Sequence, residues 1–285
     1  MEVITTISEI RQRVRAVRFA AKSIGLVPTM GALHEGHGSL IRRAVSECDA
    51  VIVSIFLNPT QFGPNEDLAR YPRPFEADVR YCQKLGVRWV FAPSAEEMYP
   101  REQLAWVHVE KVSEGLCGAH RPGHFRGVAT VCAKLFNIIQ PDVAYFGQKD
   151  AQQAVIIQTM VRDLNFPLEI RVCPTVRDKD GLALSSRNQY LSKDERKKAL
   201  CLSQALEKCR ELMQAGCTNP EELRRAVLPF FDQPGVSLEY FELVDPQSLE
   251  VLSELRGPVL AAAAARVGST RLIDNLLIDL QTPAP

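Results

Sequence analysis

Residues 50–57 read AVIVSIFL, an almost unbroken apolar run rich in β-branched side chains. A strand with one wet face alternates apolar and polar residues, so a run like this belongs to a strand covered on both faces, as in a parallel sheet flanked by helices. Its neighbours support that frame. SIGLVP (23–28), VRWVFAP (87–93), DVAYF (142–146) and LEIRVCP (168–174) read as further strands. SLIRRAVSE, FEADVRYCQKLG, VATVCAKLFNII and AQQAVIIQTMVRDL carry helical spacing between them. Thr6 and Glu9 are spaced as a capping box ahead of a helical face made by Ile10, Val14, Val17 and Ala21. The alternation predicts an α/β domain over residues 1–176, with a doubly wound, Rossmann-like parallel sheet. Such sheets bind ligands beyond the carboxyl ends of their strands, which points to the loops after Val27, Leu57 and Phe146.

The texture changes after RDKDG. Ser192 and Glu195 form a second capping box before an amphipathic helix expected to stop at Gly216, and Asn219 and Pro220 mark the start of another. VSLEYFELV and PVLAAAAARV read as strands, with a turn at VGST, so residues 177–285 are expected to form a small α+β domain. Lys+Arg and Asp+Glu each number 34, which gives no global field favouring nucleic acid or an acidic membrane surface. PVLAAAAARV is shorter than the roughly 20 residues a membrane span needs. The start, MEVITTISEI, lacks a basic segment followed by an apolar core. The eight cysteines contain no CxxC pair and suggest buried thiols in a reducing compartment, so a cytoplasmic location is expected.

Three segments carry candidate chemistry. PTMGALHEGH places His34 and His37 three residues apart among glycines, not four apart as in HExxH metalloproteases. A strand–loop–helix with this composition suits an anion at the helix start, with imidazole donors added. The spacing equally suits histidines that only cap or pack. His120 and His124 are four apart, but Pro122 and Gly123 between them disfavour a regular helix. Neither GxxxxGK[ST] nor GxGxxG occurs. DGLALSSRN sets Ser185, Ser186 and Arg187 in a row after a turn signal, a grouping able to wrap phosphate oxygens. FGQKDAQQ puts Lys149 just past a strand. The residues by themselves support a phosphate-handling α/β enzyme.

HEGH also resembles the HIGH motif of the nucleotidyltransferase superfamily, and LSSRN its KMSKS loop. With NPTQFGPNEDLARYPR, RPGHFRGVATV and FGQKDAQQ, the chain resembles the pantoate–β-alanine ligase family over most of its length. The resemblance implies a homodimeric, ATP- and Mg²⁺-dependent ligase that joins pantoate to β-alanine through a pantoyl-adenylate, releasing pyrophosphate and then AMP. It implies an ATP-binding segment of Met30, Gly31, Ala32, Leu33, His34, Glu35, Gly36 and His37, with His37 as proton donor. Gly147, Gln148, Lys149 and Asp150 would meet the nucleotide and Val176 the adenine, while Leu184, Ser185, Ser186 and Arg187 would close over the triphosphate as part of a C-terminal lid. Of these, His34, His37, Lys149, Ser185, Ser186 and Arg187 would be catalytic. Gln61 and Gln153 would hold pantoate, with Gln61 also serving β-alanine. Asn58, Arg121, His124 and Tyr71 would line or shape that pocket, and Asp78 matches a position associated with Mg²⁺. Two departures stand out: Gly38 replaces a usual Leu, and Gln148 a frequent Glu.

Such chemistry needs cations and donors, because a carboxylate repels the α-phosphate that it must attack. It needs no covalent enzyme intermediate, so the cysteines have no catalytic part. Two other readings fit the residues: a transition-metal hydrolase built on His34, His37, His120 and His124, and a regulatory module that binds nucleotide without turnover.

Overall fold

In chain order the elements are β1 (Glu2–Ile4), α1 (Ile7–Phe19), β2 (Ile24–Thr29), α2 (Glu35–Glu47), β3 (Ala50–Ile55), α3 (Phe75–Lys84), β4 (Trp89–Phe91), α4 (Ala95–Met98), α5 (Cys117–His120), α6 (His124–Ile139), β5 (Val143–Gly147), α7 (Ala151–Asp163) and β6 (Glu169–Cys173). They are followed by α8 (Lys193–Ala199), α9 (Cys201–Gln214), α10 (Pro220–Val227), β7 (Val236–Val244), β8 (Val259–Val267) and β9 (Thr270–Ile278). A computed structural model describes residues 1–279; residues 280–285, the end of the expected C-terminal domain, lie outside the described part.

The first six strands form one sheet in the order β1-β4-β3-β2-β5-β6, parallel throughout. Residues 50–54 of β3 are buried, as their apolar run requires. From β2 the chain steps through β3 and β4 to one side, then returns to place β5 and β6 on the other. The order therefore reverses between β2 and β5, and the crevice beyond their carboxyl ends is where a doubly wound sheet takes its ligand. Strand β1 escaped the sequence reading because three residues carry no periodicity. The helix expected to run from Ser192 to Gly216 is divided at Leu200.

The chain divides into two compact units, which do not follow one cut in sequence. The first comprises Met1–Glu110, Arg121–Gln148 and Ile156–Pro174; the second comprises Lys111–His120, Lys149–Val155 and the chain from Thr175. The last changeover falls between Pro174 and Thr175. The two excursions arise because 111–120 and the start of α7 pack with the second unit through Gln152, Cys117 and Asn275.

In the second unit β7, β8 and β9 make an antiparallel sheet in that order. The alanines of β8 let both faces be covered closely. Ala261, Ala263 and Ala265 join the core formed with Leu202, Leu206 and Cys209 of α9, while Leu260 clusters with Val244 and Ala151. The eight cysteines are free thiols. Burial pushes those of Cys82, Cys132 and Cys209 up to about 12, which makes them poor nucleophiles. Among the described residues no helix is long and apolar enough to cross a membrane.

Candidate active site

At the carboxyl end of β2 the chain runs through Met30–Leu33 into α2, whose N-cap is His34. The two histidines cap this helix reciprocally: Gly36 N–H donates to His34 Nδ1 (3.1 Å), and His34 N–H donates to His37 Nδ1 (3.3 Å). The imidazoles lie 4.1 Å apart, tilted by 41°. An imidazole whose Nδ1 accepts a hydrogen bond carries its proton on Nε2 when neutral. Capping and phosphate binding are thus compatible readings of HEGH, because capping through Nδ1 makes each Nε2–H a donor at a helix N-terminus. The helix begins at Glu35, earlier than the run SLIRRAVSE suggested.

The loop leading into this helix is held from below. Asp78, in α3, is buried, and its two carboxylate oxygens accept from Ala32 N–H and Leu33 N–H, each at 2.8 Å. Burial pushes its carboxyl above the ordinary value, and the two donors offset that only in part. Thr29 Oγ1 accepts from Gly31 N–H and donates to the Ser54 carbonyl, tying the loop to the ends of β2 and β3. Gly38 also has a reason. A Cβ there would lie 2.2 Å from the Tyr81 hydroxyl, which donates to Glu35 (2.7 Å) beside the Glu35–Arg42 ion pair. The room that a leucine side chain would take is filled by Tyr81, so the glycine is matched rather than a loosened contact.

A second group surrounds the 3₁₀ turn Pro59–Gln61 after β3. Asn58 and Gln61 are both buried. Asn58 Nδ2 donates to Gln61 Oε1 (3.0 Å) and to the Gly127 carbonyl, while its Oδ1 accepts from the Tyr99 hydroxyl (2.9 Å). This fixes the Gln61 amide, whose Nε2 lies 3.2 Å from Met30 Sδ. Helix α6 approaches so closely that a Cβ on Gly127 would sit 2.4 Å from the Thr60 carbonyl. Arg121 donates to both Glu66 oxygens (2.7 and 2.6 Å) and to His124 Nε2 (2.9 Å). Arginine only donates, so His124 carries its proton on Nδ1 and donates it to the Gln61 carbonyl at 2.8 Å. Arg121 and His124 therefore reach Gln61 from behind, through its backbone. Tyr71 is buried edge-on to Phe62.

Burial raises the Glu66 carboxyl, but hydrogen bonding and attraction from Arg121 outweigh it and hold the group below the ordinary 4.5. As pH falls, the unfolded chain takes up this proton first. The stability it contributes is thus full above 4.5 and lost as pH falls through the lowered folded value. Glu66→Gln should be less stable than wild type at neutral pH, with the gap narrowing in acid. Urea melts at a series of pH values measure this, and a gap that widens in acid would contradict it.

Three further sets of the expected residues lie in the second unit. The 3₁₀ turn Gln148–Asp150 straddles the division and places Lys149 Nζ 3.7 Å from Asp150. Gln153 follows four residues after Lys149 in the first turn of α7. Adjacent Gln152 is buried, accepts from Cys117 N–H and donates to the carbonyls of Val112 and Gly115. Residues 176–184 form a hairpin in which Leu184 N–H donates to the Val176 carbonyl (3.0 Å). Ser185 then caps a 3₁₀ turn over Ser186–Tyr190 by accepting from Arg187 N–H. Val176, Leu184, Ser185, Ser186 and Arg187 are thereby gathered on one hairpin and its exit. Gly147, at the end of β5, has nothing within 4 Å of where a Cβ would stand.

Among the described residues no three His, Cys, Asp or Glu side chains come together as a metal would need. His120 lies against the ring of Tyr240, and His34, His37 and His124 are engaged as above. Glu66, Tyr99, Gln152 and Asn275 support expected site residues, and sequence reasoning missed them. Glu66 and Gln152 lie inside NPTQFGPNEDLARYPR and FGQKDAQQ without having been read as supports, and Asn275 is half of the polar pair Asp274-Asn275 inside the strand RLIDNLLI.

The family model described as pantoate-beta-alanine ligase matches residues 2–277. The chain is 53% identical over 279 residues to a pantothenate synthetase of Pelotomaculum thermopropionicum, covering 98% of this chain and 99% of that one. It is 54% identical over 281 residues to that of Moorella thermoacetica, covering 98% and 99%. The crystal structure of the pantothenate synthetase of Thermus thermophilus superposes with a TM-score of 0.91 at 46% identity, over 97% of this chain and 99% of that one. The pantoate-beta-alanine ligase of Francisella tularensis, solved with beta-gamma ATP and beta-alanine, gives 0.80 at 37% identity over 97% of each chain.

Proposed function

Because the chain belongs to the pantoate–β-alanine ligase family, we propose that it activates pantoate as an acyl-adenylate before the amine attacks. It is an ATP-dependent ligase that condenses pantoate with β-alanine to give pantothenate. In the first step a pantoate carboxylate oxygen attacks the α-phosphorus and pyrophosphate leaves. In the second, the amine of β-alanine attacks the acyl carbon, loses its proton, and AMP leaves.

The observation that carries this reading is the pair of capping histidines at the start of α2, beyond the point where the sheet order reverses. Two Nε2–H donors beside a helix N-terminus suit an anion whose negative charge grows in the transition state. Lys149 and Arg187 supply cations, with Ser185 and Ser186 adding donors, once ATP is bound. Residues 177–285 serve in this way as a lid over the triphosphate. Gln61, its amide fixed by Asn58, and Gln153 hold pantoate in line with the α-phosphate, and such alignment supplies much of the acceleration. Gln61 also receives β-alanine. Arg121, expected at pantoate itself, acts through His124 and the Gln61 backbone. Mg²⁺ enters with ATP. Both Asp78 oxygens already accept backbone N–H groups, and Mg²⁺ commonly reaches such sites on substrate phosphates. A homodimer working in the cytoplasm completes the reading, and eight free thiols suit a reducing compartment.

The test is exchange of labelled pyrophosphate into ATP. Exchange that requires pantoate and proceeds without amine is the expected result; exchange that starts only when β-alanine is added would contradict an adenylate formed first.

A further inference from the structure

Strand β9 carries two buried polar residues side by side, Asp274 and Asn275, in an otherwise largely apolar run. Neighbouring side chains on a strand point to opposite faces, and each of these two ties down one ATP-associated segment. Asp274 accepts two hydrogen bonds from Arg177 (2.6 and 3.0 Å), which fixes the hairpin leading to Ser185–Arg187. Asn275 Nδ2 donates to the backbone carbonyl of Lys149 at 2.8 Å.

The surroundings suit that second contact. Opposite Asn275 on β8 stands Ala262, whose small side chain leaves room above the sheet. On the same face Leu260 packs with Ala151, the first residue of α7. Gln152 then clamps the start of the helix to residues 112–117. Asparagine is a poor strand residue, and a buried amide is costly without partners; the bond to Lys149 gives it a task there.

We infer that Asn275 is a positioning residue for Lys149: it fixes the backbone from which the ammonium reaches the phosphates. With that backbone held, only side-chain torsions move Nζ from Asp150 to a phosphate. The inference rests on the proposed role of Lys149 in adenylate formation.

Asn275→Asp keeps the size of the side chain but sets a carboxylate, which cannot donate, against the Lys149 carbonyl. In pantoate-dependent pyrophosphate exchange its kcat should fall about tenfold or more, with the KM for ATP changing less than about threefold. In the Lys149→Ala background the same substitution should cost less than about a further twofold, since what it positions is gone. Circular dichroism and thermal melts establish that each variant is folded at the assay temperature, and Asn275→Ala serves for the same cycle if the aspartate variant is not. Equal losses in both backgrounds, or a folded variant with the wild-type rate, would overturn the inference. If Lys149→Ala alone leaves exchange unchanged, the proposed role of Lys149 fails and this inference fails with it, an outcome distinct from equal losses on top of an impaired Lys149→Ala.

Discussion

His37→Ala should lower pantoate-dependent pyrophosphate exchange by a factor of about 10²–10³ while the protein stays folded. The size of the effect follows from what the imidazole does on each side of its ring. Nδ1 accepts from His34 N–H, which sets the proton on Nε2 as a donor for phosphate oxygen. Alanine removes that donor from the region where charge grows in the transition state. It also removes half of a reciprocal cap, worth about 1 kcal/mol of stability. Glutamine at the same helix position restores a capping acceptor, so His37→Gln should regain most of the stability and little of the rate. A thermal melt paired with the exchange assay separates the two roles. A rate within a few-fold of wild type for the alanine variant would remove His37 from the chemistry.

Asp78→Asn should be nearly as damaging, though the residue touches no substrate under this account. The carboxylate accepts two backbone N–H groups of the loop into α2, both at 2.8 Å, from a buried position. An asparagine oxygen can serve one of them, while its NH₂ group confronts the other. A buried donor left unsatisfied costs about 1–3 kcal/mol, and the charge-assisted strength of both bonds is lost as well. The loop that places His34 and His37 would shift, and displacement on the order of 1 Å can cost about 10²-fold in rate. Magnesium distinguishes this from direct metal binding. On the present account the deficit is the same at every Mg²⁺ concentration, whereas recovery of the rate at high Mg²⁺ would make Asp78 a metal ligand.

How far the sequence foretold these arrangements depended on whether the signal was local. AVIVSIFL announced a strand buried on both faces, and β3 lies in the middle of the sheet. Ser192 with Glu195, and Asn219 with Pro220, marked helix starts that the structure has, because caps are settled within four residues. HEGH pointed to a helix start, but its spacing left the choice between capping and ligand binding open. The geometry of the two Nδ1 atoms shows the capping, which is compatible with a donor role for Nε2–H. Supports that reach across the fold were invisible. Arg121 meets Glu66 from 55 positions away and Asn275 meets Lys149 from 126, and no periodicity reports such pairs. The grouping of 111–120 and 149–155 with the second unit escaped for the same reason: their partners lie far along the chain.

The central claim is that a pantoate carboxylate oxygen becomes bonded to the α-phosphorus of ATP before the amide forms. Pantoate labelled with oxygen-18 in its carboxylate, turned over with ATP and β-alanine, tests it most directly by mass spectrometry of the nucleotide product. Label in the phosphate of AMP is the predicted result. AMP without label, or label carried instead into inorganic phosphate beside ADP, would contradict it.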